Sequence, residues 1–111
     1  MSRAIIDRAI FAELQETAGA DFVVELVDTF LQEAPQMLAE LRSAQAAGAG
    51  DAFRRAAHSL KSNGSTFGAA RFADLARALE LGGLVADGAP IDALEAEYQR
   101  VAAALREACH G

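Results

Sequence analysis

Chemistry in this sequence centres on His58. It sits in Arg54-Arg55-Ala56-Ala57-His58-Ser59-Leu60-Lys61-Ser62-Asn63-Gly64-Ser65, where Phe53, Ala57, Leu60, Gly64 and Phe67 recur with a helical period. If Ala57 and Leu60 face a core, His58 lies about 200° round the helix from Leu60 and points outward. Its neighbours at i−4, i+3, i+4 and i+7 are then Arg54, Lys61, Ser62 and Ser65, with Arg55 at i−3. Three cations beside an exposed imidazole suit an added dianionic group. The small hydroxyl residues leave room for another protein's atoms to reach the ring. Taken alone, the same pattern also fits a solvated helix face that happens to carry a histidine. The second histidine, His110, is next to last in a tail prone to fray and is a weaker candidate.

The elements that must hold this face are helical. Gly and Asp clusters divide the chain into about five segments. The first, roughly Ile5 to Glu16, carries Ile6, Ile10 and Leu14 and ends at Gly19. The second starts near Asp21 as N-cap and runs to about Ala47, with Val23, Val27, Phe30, Ala34, Met37 and Leu41 on one stripe. Pro35 lies inside it, but the stripe stays in phase, which favours one kinked helix over two. The third is capped by Asp51 and stops at Gly68. The fourth, about Ala69 to Leu81, buries Phe72, Leu75, Ala76 and Leu79. After Asp87-Gly88-Ala89, Pro90 suits the first position of a fifth helix carrying Ile91, Leu94, Tyr98, Val101 and Leu105. Short connections between helices of similar length predict an all-α, antiparallel four-helix bundle with an additional N-terminal helix.

Composition agrees with one such domain over 1–111. The 111 residues are 52% hydrophobic and 6% aromatic, and 27 are alanine, the strongest helix former. A net charge of −6 argues against general nucleic-acid binding, which needs a basic surface. No apolar run approaches the roughly 20 residues that cross a bilayer, and Asp7 and Arg8 interrupt the opening Met1-Ser2-Arg3-Ala4-Ile5-Ile6 too early for a secretory signal. The single Cys109 fits a reducing cytoplasm.

The string His58-Ser59-Leu60-Lys61, the small residues after it, Gly68 ten positions on, and the Leu79-Glu80 pair in the next helix together resemble the histidine-containing phosphotransfer (HPt) family. Phe30-Leu31-Gln32-Glu33-Ala34-Pro35 is similar to that family's second helix. Many members have Gly four positions after the histidine, where Ser62 stands here. The resemblance implies that His58 takes up a phosphoryl group and that Lys61 stabilises its charge. It also implies a response-regulator receiver domain as partner, with a histidine kinase as a possible second.

Glu80 has a geometric argument of its own. With the turn at Gly68, His58 is ten residues before it and Glu80 twelve after, so both stand at nearly the same height on antiparallel neighbours. A carboxylate there can accept the Nδ1 proton and leave the Nε2 lone pair free as nucleophile. A plain surface glutamate is the other reading of that residue. Arg54, Arg55, Ser62 and Ser65 are expected at the partner surface, with exposed apolar residues of the first two helices, Ile6, Ile10 and Phe22, as further candidates. The chain shows no Gly-rich phosphate loop and no His/Cys metal motif, so no cofactor and no metal are expected. The expectation is a monomeric, cytoplasmic phosphotransfer intermediate rather than an enzyme. Two alternatives stay open: a helical adaptor that binds a receiver or kinase without carrying phosphate, and a fragment of a larger kinase.

Overall fold

The computed structural model describes residues 5–110, with His110 by its backbone alone, so Met1–Ala4 and the His110 side chain lie outside the described residues. Five helices form: α1 (Arg8–Ala18), α2 (Ala20–Ala47), α3 (Gly50–Thr66), α4 (Ala70–Gly82) and α5 (Ala89–His110). Helix α2 packs on α3, α3 on α4, α4 on α5, and α5 back on α2, which closes a four-helix bundle; α1 lies against α2. No strand occurs among the described residues.

Helix ends depart from the sequence reading in instructive ways. Helix α1 starts at Arg8 rather than Ile5, because Asp7 is extended and its Oδ1 accepts from the backbone N–H of Ala9 (2.9 Å) and Ile10 (3.3 Å). Ile6 therefore precedes the helix and is buried with Phe11, the N′ and N4 positions of a hydrophobic staple, whereas Ile10 is 41% exposed. Neither Asp21 nor Asp51 caps a helix. Gly19 (φ 95°) and Ala49 take those positions, and both aspartates sit in the first turn, where they still complement the helix dipole. Helix α5 begins at Ala89, so Pro90 is its second residue, still inside the turn whose N–H groups lack helical partners.

The core follows the predicted stripes with small changes of phase. On α2, Leu38 is buried where Met37 was expected, and Met37 lies at the rim. On α4, Ala73 is buried and Leu75 only partly so. Phe30 of α2 is the hub: its ring centroid lies 5.5 Å from Phe67, 6.0 Å from Phe72 and 5.8 Å from Tyr98. Each bundle helix, or the turn that ends it, thus contributes one ring to a shared aromatic cluster. One charge enters the core. Glu97 is 1% exposed, with Oε1 held by Arg100 (2.8 Å) and Arg71 (3.5 Å) and Oε2 without a hydrogen-bond partner. The two arginines offset part of its desolvation.

Pro35 sits inside a single continuous α2. Its missing N–H leaves the carbonyl of Leu31, four residues earlier, without its helical donor. The Tyr98 hydroxyl fills that place, donating to the Leu31 oxygen at 3.3 Å. A proline that costs one hydrogen bond therefore creates the acceptor that ties α5 to α2. Tyr98→Phe is expected to lower unfolding free energy by about 1 kcal/mol. In a Pro35→Ala background, where residue 35 can again donate to Leu31, the same change should cost measurably less. Urea denaturation of the four proteins in this cycle checks the coupling; equal costs in both backgrounds would remove it.

Candidate functional site

The turn that joins α3 to α4 fixes where the site's residues meet. Helix α3 ends in a Schellman motif: Gly68 (φ 76°) donates to the Ser65 carbonyl at 3.1 Å and Ala69 donates to that of Gly64 at 2.9 Å. The chain reverses within three residues, and α4 runs back along α3. Residues equally far from the turn then face one another, which brings Glu80 to the height of His58.

The contact is direct. His58 Nδ1 lies 2.7 Å from Glu80 Oε2. The His58 side chain is 57% exposed and that of Glu80 only 15%, so the ring stands outward on a partly buried carboxylate. With Glu80 ionised, Nδ1 carries the proton and donates it, and Nε2 has no partner among the described residues. Lys61 Nζ is 3.0 Å from the other oxygen, Oε1. That oxygen has no other polar partner among the described residues, so the Lys61–Glu80 ion pair is its sole compensation. The Lys61 ammonium first, and the His58 ring second, hold the Glu80 carboxyl below its ordinary value of 4.5, against partial desolvation that pushes it up.

The other sequence-derived residues separate around this centre. Arg54 pairs loosely with Asp51 at 4.0 Å, both well exposed. Arg55 turns toward α2 and, with Met37, Glu40, Ala52 and Ser59, lines an open groove of about 530 Å³ between α2 and α3. Lys61 is engaged with Glu80, Arg54 lies near Asp51 and Arg55 borders the groove, so no hydrogen bond joins any of the three cations to the imidazole among the described residues. Ser62 and Ser65 are exposed on the His58 side of α3, and the Ser62 carbonyl accepts from the Thr66 hydroxyl at 3.0 Å. Of the apolar docking candidates, Ile10 and Phe22 are exposed (41% and 50%), but Ile6 is 2% exposed and belongs to the core. The Lys61–Glu80 pair was missed from sequence, although Lys61 one turn after His58 leans toward α4 and signals it. No group of three or more His, Cys, Asp or Glu side chains arranged to hold a metal occurs among the described residues. Among the described residues, no helix is long and apolar enough to cross a membrane.

An exposed histidine in contact with a carboxylate across two antiparallel helices of a four-helix bundle is the arrangement that the resemblance to phosphotransfer domains implies. Comparison with known proteins agrees. The Hpt domain family model matches residues 25–104. The crystal structure of histidine-containing phosphotransfer protein B (HptB) from Pseudomonas aeruginosa PAO1 superposes with a TM-score of 0.87 at 30% identity, covering 97% of this chain and 96% of that one. No curated protein sequence matches. The chain belongs to the histidine-containing phosphotransfer family, whose members act in phosphorelays as phosphotransfer intermediates rather than conventional enzymes.

The depressed Glu80 value has a measurable consequence. A carboxyl whose folded value lies below its unfolded one stabilises the fold above the unfolded value and loses that contribution as pH falls through the folded one. Stability should therefore be insensitive to Glu80 above about pH 5 and decline at lower pH. Carbon-detected NMR titration of the Glu80 carboxyl should give a midpoint below 4.5 in the wild type and a higher one in Lys61→Met. An unchanged midpoint in Lys61→Met would show that the ammonium does not set it.

Proposed function

We propose that His58 is the phosphoacceptor and that Glu80 and Lys61 prepare it. The observation that carries this reading is the 2.7 Å contact between Nδ1 and Glu80 beneath a ring that is mostly exposed. Holding the proton on Nδ1 directs the lone pair on Nε2 toward solvent, where an incoming phosphoryl group arrives. The same arrangement, a carboxylate behind an imidazole, orients nucleophilic triads.

In the transfer step, Nε2 attacks the phosphorus of a receiver's phosphoaspartate. The P–N bond forms as the bond to the aspartyl oxygen breaks, and the electron pair leaves with the aspartate carboxylate. The Nδ1 proton stays in place, hydrogen-bonded to Glu80, which balances the positive charge that develops on the ring. Lys61, one turn from His58, is then within side-chain reach of the new phosphoryl oxygens and can exchange Glu80 for them. The reverse step returns the group to another receiver. The metal ion and the acyl phosphate belong to the receiver, and this chain supplies the nucleophile and its orientation.

The docking surface in this reading surrounds His58. It takes in Ser62 and Ser65, the groove bordered by Arg55, Arg54 at its edge, and the exposed Ile10 and Phe22. The protein works as a cytoplasmic monomer that meets receivers, and a kinase assembly where one feeds the relay, through small transient contacts.

Incubation with a phosphorylated receiver should transfer an acid-labile, base-stable label to the wild type and none to His58→Gln. Glu80→Ala should keep the fold and slow single-turnover transfer about tenfold or more. Equal labelling of wild type and His58→Gln would end the assignment. Binding without any label would favour the adaptor reading instead.

A further inference from the structure

Gly64 stands out because it has no room for a side chain. A Cβ built there would lie 2.7 Å from Phe72 Cδ2 and 3.4 Å from both Phe72 Cε2 and the Ala73 backbone nitrogen. Phe72 has little freedom to yield. It is fully buried, edge-on to Phe30 at 6.0 Å and tilted against Tyr98 at 6.5 Å. Gly64 is therefore a position where α3 and α4 approach too closely for any side chain, and it lies between the Gly68 turn and His58.

That position gives it leverage. Helices α3 and α4 are joined at the Gly68 turn, with Gly64 four residues and His58 ten residues before it. At about 1.5 Å per residue, Gly64 is roughly 6 Å from the pivot and His58 roughly 15 Å. Any splay of the helices at Gly64 is multiplied about 2.5-fold at His58 and Glu80. An opening of only about 0.3 Å at the glycine becomes about 0.7 Å at the site. That takes a 2.7 Å hydrogen bond to the edge of the range in which it still directs a proton.

We infer that Gly64 is a positioning residue for phosphotransfer: its missing side chain sets the α3–α4 spacing that lets Glu80 hold the His58 Nδ1 proton. This rests on His58 being the phosphoacceptor, and it adds a determinant that touches neither the ring nor the phosphoryl group. Helix propensity alone would favour alanine here, so a glycine in the interior of α3 is costly locally.

The test reads the ring and the rate separately. In wild type, ¹⁵N NMR of His58 at a pH where the ring is neutral should show the Nδ1–H tautomer dominant. In Gly64→Ala the two tautomers should mix, and transfer from a phosphorylated receiver should slow at least fivefold, within the ~100-fold that a 1 Å misplacement can cost. Adding Phe72→Leu, whose side chain can turn away from the new methyl, should restore both readouts toward wild type. Ala73→Val adds bulk beside the same contact and should move both in the same direction by less, which keeps the test open if Gly64→Ala does not fold. A lowered melting temperature with unchanged tautomer and rate in either variant overturns the inference and leaves Gly64 a packing residue only. Because the tautomer is read without phosphate, a wild type that takes no label at His58 defeats the phosphoacceptor assignment while the positioning result is still scored.

Discussion

The hydrogen bond from His58 Nδ1 to Glu80 Oε2 links two side chains that stand twenty-two residues apart, and most of the fold serves to keep it at 2.7 Å. It exists because α3 and α4 are antiparallel, turn sharply at Gly68, and pack closely enough at Gly64 for a short glutamate side chain to cross the gap. The Phe30 hub then fixes both helices against α2 and α5. A bundle of long, alanine-rich helices supplies stiffness over the whole span, so a local spacing at one end is transmitted to the other.

Charge is organised on a finer scale than the net −6 implies. Glu80 has two oxygens with two contacts: one accepts the hydrogen bond from the imidazole N–H and the other pairs with Lys61. A lysine parked on this carboxylate keeps it ionised while remaining one turn from His58, the proposed phosphoacceptor. The acidic surplus lies elsewhere, as at Asp92 and Glu95, which pair with Arg42 across α2 and α5 at the surface, where such bridges add little stability. Glu97 is the exception, a buried carboxylate shared by two arginines.

Much of this was legible in the sequence because it depends on period and count. The outward phase of His58 follows from Ala57 and Leu60, and the match in height between His58 and Glu80 follows from counting either side of Gly68. The helix boundaries were less legible. Asp7, Asp21 and Asp51 are equally good caps by type, and only the backbone shows that Asp7 alone caps. The rotation of α2 that buries Leu38 instead of Met37 depends on where α3 and α5 press on it, which no single stripe encodes. Glu97 reads as a surface residue by type; its burial follows from Arg71, which lies on another helix. The arginines beside His58 were placed by helical phase alone, and long side chains follow their partners rather than their Cβ direction.

The proposed phosphotransfer depends on Nε2, and not Nδ1, of His58 acting as the nucleophile. Phosphorus-31 and nitrogen-15 NMR of the protein phosphorylated from a receiver measures this directly through the chemical shifts and couplings of the modified ring. The geometry predicts a single species with phosphate on Nε2 of His58 and a proton retained on Nδ1. Phosphate on Nδ1, or on any residue other than His58, would contradict it.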